Sequence, residues 1–330
     1  MSKASRLVAF GTLAFATQIA CAASGGAQAP PATAGVKPAA TTKVAFTTGH
    51  GEQAPTDGFR LAWMLLAGSY DLTLVNPSLQ AIDAGADVVV VAGPTDPFDA
   101  RGRAEIDRFL RSGKGGVFLV DATVMRGPRW LDGGGLAPAP TATIANDTGL
   151  DPLLGSYGLR VAAGLILDPP SAPGPYPGPG RTLREALPAF VRVVVRVSVG
   201  GVVQPGDPAL VAEPTTVIFP YASAVEEVAS APAGGRRTWS LAESSPASWR
   251  QPEYVYRGFY QRAGRPGGPF SVARALELSA PIGRRTRVVV IGDSDFACDE
   301  ILRLVTVVPG YDGGSRFLRG AIAWAAATAP

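Results

Sequence analysis

The chain has 330 residues, 17% charged and 46% hydrophobic, with a formal net charge of +3. Its one His and two Cys, which are His50, Cys21 and Cys298, exclude a zinc centre built from Cys and His, which takes about four such ligands, and exclude a disulfide scaffold. The basic residues are scattered, with four Lys among 30 and no run of five, so no nucleic-acid partner is expected.

The amino terminus reads as an export signal. Lys3 and Arg6 precede an uncharged, mostly apolar stretch from Leu7 to Ala20, shorter than the ~20 residues a spanning helix takes. Ala20-Cys21-Ala22 has the small-x-small form of a cleavage site. Cys21 also offers a lipid-anchored alternative, and an uncleaved anchor is a third, because the uncharged run stretches to Ser24. Residues 1–22 are therefore expected to be a signal peptide or membrane anchor, placing the protein in the bacterial periplasm or cell envelope. Residues 23–42 hold Val36 as their only bulky aliphatic residue and no aromatic. They cannot bury enough apolar surface to fold, and form a flexible Ala/Pro/Gly linker spanning about 20–30 Å.

A regular pattern begins at Lys43 and defines a domain over 43–328. Val44–Thr48 reads as a strand ending in Gly49-His50-Gly51-Glu52, followed by a helix over Gly58–Ala67 capped by Asp57. Leu72–Val75 is a second strand. Asp87–Ala92 is an uninterrupted apolar strand, as burial on both faces requires. Asp99 caps a helix to Arg111, and Gly116–Val120 is the next strand. Alternating strands and helices predict an α/β, doubly wound, mostly parallel sheet.

The middle is less regular, and about 125–270 is expected to be inserted into the sheet or to form a second domain. Gly127–Ala145 and the proline-rich Pro169–Gly180 read as surface loops. Asp151–Tyr157 reads as a short helix; Arg160–Leu167, Val191–Val199, Thr215–Phe219 and Arg237–Leu241 read as strands. Phe270–Ser279 is expected at a sheet edge and Arg287–Ile291 as a second buried strand, before a closing helix over Arg316–Ala327.

Ligands of open parallel sheets sit at the carboxyl ends of strands. Those ends carry His50, Glu52, Asp96, Asp121, Asp293, Ser294 and Asp295, which form the candidate binding edge. The same Asp and Ser residues serve equally as caps and turn formers. His50, between two glycines, is expected to be exposed. Gly292-Asp293-Ser294 is similar to the start of a GDS serine esterase, whose late D-x-x-H histidine is absent here. A serine nucleophile needs a base, so a hydrolase would have to bring His50 to Ser294 or work with strand-end carboxylates. Cys298 is expected to be buried and inert. Solute or glycan binding would place Trp249, Tyr254 or Tyr256 beside a pocket.

Several segments, in order, carry a resemblance: Val44–Glu52, Asp87–Asp96, Asp107–Asp121, Leu153–Gly158, Thr215–Val225, Ser244–Trp249, Gly268–Leu276 and Arg287–Phe296. Together they resemble the GldG-like auxiliary domain of gliding-motility and ABC-type transport systems. The resemblance implies a class I glutamine amidotransferase-like fold with relatives in intraflagellar transport. In that fold the nucleophilic Cys lies on a turn where this chain has Asp121-Ala122-Thr123. It implies a non-catalytic domain without cofactor or metal, outside the cytoplasm. Its partners would be ABC permease and ATPase subunits, other envelope proteins, or a glycan. Members of the family carry a membrane span after the domain; with the sequence ending at Pro330, attachment is expected to rest on the amino terminus or on a partner.

Overall fold

The computed structural model describes residues 41–126, 142–173, 186–198, 201–202, 214–229, 235–252, 265–279, 285–304 and 312–327. The expected leader and nearly all of the linker lie outside the described residues, as do 127–141, 174–180, Tyr254 and Tyr256. The first half contains β1 (Lys43–Thr47), α1 (Arg60–Ala67), β2 (Asp71–Val75), β3 (Val88–Ala92), α2 (Ala100–Arg111) and β4 (Gly115–Leu119). Then follow β5 (Thr123–Arg126), β6 (Ala142–Ala145), α3 (Asp151–Ser156), β7 (Leu159–Ala162), β8 (Leu165–Leu167) and β9 (Ser171–Pro173). The later strands are β10 (Ala186–Ser198), β11 (Gly201–Val202), β12 (Pro214–Pro220), β13 (Ala224–Glu227), β14 (Arg236–Glu243), β15 (Trp249–Gln251), β16 (Ser271–Ser279) and β17 (Arg285–Ile291). Two helices close the fold, α4 (Asp299–Arg303) and α5 (Gly313–Ala326).

The central sheet has seven strands in the order β14-β16-β17-β4-β3-β1-β2. From β17 to β2 the neighbours are parallel, whereas β16 runs antiparallel to both β17 and β14. The class is α/β with a mostly parallel sheet, as the alternation of elements predicts. The valines of β3 show why. Val88 and Val90 join Phe46, Phe59 and Phe317 on the face of α1 and α5, and Val89 and Val91 join Ile106, Phe109 and Leu110 on the face of α2. Each side chain leaves water entirely, worth at most about 1.5–3 kcal/mol apiece. α2 starts at its expected cap, where Asp99 accepts from the Gly102 N–H at 2.7 Å, worth about 1 kcal/mol.

The middle region feeds the same core. Val191, Val193 and Val195 of β10 alternate with exposed Arg192 and Val194, and pack with Val217, Phe219, Phe317 and Leu318.

The structure departs from the sequence pattern at several points. α1 has no cap from Asp57, which bridges back to Ala54. The helix begins at Arg60, and the Leu61 N–H is met by Asp299 Oδ1 at 2.7 Å, a cap 238 residues away in sequence. The expected strand over Arg160–Leu167 splits into β7 and β8, because Gly164 takes φ +94 and the halves pair with different strands, β13 and β15. Two expected loops hold strands: β6 pairs with β5 and β9 with β10. β16 is interior, with β14 covering its outer side and taking the edge.

Candidate functional site

The strand order sets the site. β1 connects to β2 on one side, while β3 and β4 lie on the other, so a topological switch point opens between the carboxyl ends of β1 and β3. The loops there are tied across the crevice. Gln53 N–H donates to the Ala92 carbonyl at 2.8 Å, and the Thr95 and Asp96 N–H groups donate to the His50 carbonyl at 3.0 and 2.9 Å.

Four of the seven expected residues border one cavity of about 240 Å³: Glu52, Asp121, Ser294 and Asp295. Gln53, Asp57, Thr95 and Glu300 add further polar side chains to its lining. Ser294, just after β17, is fixed by the loop after β4. Its N–H donates to Asp121 Oδ1 at 2.8 Å and its Oγ to Asp121 Oδ2 at 2.6 Å, while Gln53 Nε2 donates to Ser294 Oγ at 2.8 Å. The serine hydroxyl is thus held by a carboxylate and an amide.

Asp293 lies behind the cavity and is fully buried. Its Oδ1 accepts from the Asp295 N–H at 2.7 Å. Burial, with Asp295 and Asp121 adding negative charge, pushes its carboxyl well above the usual range, favouring the protonated acid.

His50 is buried, contrary to the exposure expected of a glycine-flanked turn. Its ring stacks on Phe98 with centroids 3.8 Å apart and planes 18° apart. Nε2 lies 3.0 Å from Ser78 Oγ, Nδ1 lies 3.4 Å from Glu52 Oε1, and the His50 N–H donates to Glu52 Oε2 at 2.6 Å. Ser78 Oγ in turn donates to Asp99 Oδ1 at 2.7 Å. The hydroxyl beside the imidazole is therefore that of Ser78. The network joins the β1 turn, the segment after β2 and the start of α2. Asp96 is exposed and is not among the residues that border the cavity.

Cys298 is buried as expected, and burial raises its thiol well above the ordinary value. Among the described residues no group of three His, Cys, Asp or Glu side chains is placed to hold a metal ion. Among them, too, no helix is long and apolar enough to cross a membrane. The strand-end rule did not reach Gln53, Asp57 and Glu300: Gln53 follows Glu52 directly, Asp57 reads in the sequence only as a helix cap, and Glu300 lies two residues after Cys298.

A second concavity, of about 560 Å³, lies between β10 and β14 and is lined by Arg192, Trp239, Ser240 and Glu243 among others. Trp249, expected beside a pocket, is buried; the aromatic residue on a groove is Trp239.

Fold and site together define an α/β domain with an acidic, carboxylate-rimmed crevice at its switch point. The sequence profile of the ABC_transp_aux family, described as an ABC-type uncharacterized transport system, matches residues 41–324, and the chain belongs to that family. No curated protein matches it. Among solved structures the chain is similar to one described as the mmIFT52 N-terminal domain. That match has a TM-score of 0.52 at 14% identity, over 87% of this chain and 98% of that one. It is also similar to a thua-like protein from Parabacteroides merdae, with a TM-score of 0.42 at 12% identity, over 87% and 90% of the two chains.

Proposed function

We propose that this chain is an exported, non-enzymatic accessory subunit of an ABC-type transport or gliding-motility envelope complex. In this reading it is GldG-like and descends from a class I glutamine amidotransferase-like fold. The carrying observation is the state of the Ser294 hydroxyl in the acidic cavity. It donates a hydrogen bond to Asp121, while the only imidazole of the chain is stacked on Phe98 and bonded to Glu52 and Ser78. A serine attacks only when a base takes its proton, and a carboxylate is a weak base for a hydroxyl. The turn where the amidotransferase fold has its cysteine reads Asp121-Ala122-Thr123. These points favour recognition over the alternative of a hydrolase using His50 with Ser294.

A cavity of about 240 Å³ is below the ~300–1,000 Å³ of small-molecule sites. Its carboxylate rim favours a cationic group, so the ligand proposed is a Lys or Arg side chain of a permease or other envelope protein. Full-length tagged protein purified from native membranes is expected to retain the permease and ATPase, and Glu300→Lys or Asp57→Lys to lower their recovery about ten-fold or more at unchanged circular dichroism, reversed charge at a close pair costing several kcal/mol. Undiminished recovery with both variants would remove the cavity from the partner interface.

The groove of Trp239 supports a glycan as the second ligand class, since an aromatic ring flanked by polar groups offers stacking and hydrogen bonds together. Titration with envelope glycan oligomers would then change tryptophan fluorescence in the wild type and not in Trp239→Ala; an unchanged signal in the wild type rejects it.

A further inference from the structure

We propose that the edge of the central sheet opposite the acidic cavity docks on anionic phospholipid, so that the domain stands on a bilayer with the cavity directed away from it. This rests on the exported, membrane-proximal reading above and adds the face that meets the lipid.

Parallel strands give the sheet two unlike edges. The carboxyl edge carries Glu52, Asp121, Asp295 and Glu300 at the cavity. At the amino edge, neighbouring strands carry cations: Arg111 and Lys114 before β4, Arg285 and Arg287 at the start of β17, Arg236 and Arg237 at the start of β14. For four of these six cations the paired carboxylate lies deeper. Glu277, at the same edge on β16, is 8% exposed and receives Arg287 at 3.0 Å, Arg285 at 3.2 Å and Arg237 at 3.8 Å. The Arg285 and Arg237 side chains are 47% and 66% exposed. Asp107, 27% exposed, lies under Arg111, 68% exposed, at 2.6 Å. These clusters present positive charge outward. Asp87 at Lys114 and Glu227 at Arg236 reverse the order, each being the more exposed partner, and exposed Asp71 and Asp83 lie on the β2 and β3 side. The basic face is therefore confined to the half of the edge from β4 to β14.

The attachment point favours lipid as the occupant. The amino-terminal residues join the fold at Thr42 and exposed Lys43, at this same edge, where the Thr42 carbonyl accepts from the Asp71 N–H at 3.0 Å. β1 lies two strands from β4, about 10 Å at ~4.8 Å per strand. In the exported reading, a leader or anchor would enter the fold at this edge rather than at the cavity. Anionic headgroups attract Lys and Arg within a Debye length, about 8 Å at physiological salt.

The test is co-sedimentation of the full-length chain with phosphatidylcholine vesicles, with and without phosphatidylglycerol. Binding should require phosphatidylglycerol and fall with added salt. Arg111→Ser/Arg237→Ser/Arg285→Ser should weaken it about ten-fold or more. The charge-matched triple Arg60→Ser/Arg303→Ser/Arg316→Ser, in α1, α4 and α5 near the other edge, should not. Replacing the same three basic-edge arginines with Lys should retain binding, which separates loss of charge from loss of fold. Equal binding to pure phosphatidylcholine, equal loss in the two serine triples, or equal competition by duplex DNA would overturn the proposal. Vesicles read the edge alone and cell fractionation reads export, so either can fail without the other.

Discussion

Asp293→Asn is expected to stabilise the protein at neutral pH and to leave it unchanged near pH 4. Asp293 is fully buried and its Oδ2 has no hydrogen-bond partner; that burial, with the charges of Asp295 and Asp121 added, raises its carboxyl well above the ordinary range. An unfolded Asp ionises near ~3.9. Below that pH both states keep the proton and the group costs nothing. As pH rises, the unfolded chain releases its proton while the folded chain keeps it. Stability then falls by about 1.4 kcal/mol per pH unit until the raised folded pKa is reached. Asn keeps the acceptor for the Asp295 N–H and cannot ionise, so it escapes this loss. Thermal unfolding of both proteins across pH 4 to 8 measures it: the gap should open steadily above pH 4, at roughly 2 °C per kcal/mol for a domain of this length. A gap of the same size at every pH would contradict the buried neutral acid.

Gly292→Ala is expected to cost about 3 kcal/mol or more. A Cβ there would lie 2.1 Å from the Ser223 carbonyl oxygen and 2.9 Å from its carbon. Both groups are backbone, and neither is free to move. Ser223 N–H donates to the Gly292 carbonyl at 2.6 Å, and Gly292 N–H to the Val272 carbonyl at 2.8 Å. The substitution therefore pushes the end of β17 off its neighbours and displaces Asp293 and Ser294 with it. Gly155→Ala in α3 is the contrast, with open space around its Cβ, and should be neutral or gain up to about 1 kcal/mol from helix propensity. Urea midpoints give the comparison; equal shifts for the two would deny the close approach.

The elements visible in the sequence are those whose cause is local. Four consecutive valines bury both faces of β3, and Asp99 caps its own helix. The strand-end rule likewise brings Glu52, Asp121, Ser294 and Asp295 to one cavity. What stays hidden depends on partners far along the chain. The start of α1 answers to Asp299. His50 is buried because Phe98 and Ser78, from two other connections, close over it. β16 is interior because β14 pairs along its outer side. Asp96 follows β3 as the rule requires, yet its side chain is exposed outside the cavity.

The most direct measurement is the composition of the particle recovered when the tagged full-length chain is purified from native membranes. An auxiliary subunit predicts a permease and an ATPase at fixed ratio with the chain, and no ester or amide hydrolysis by the purified particle above that of Ser294→Ala. Recovery as a soluble monomer without either subunit, or hydrolysis that disappears with Ser294→Ala, would contradict it.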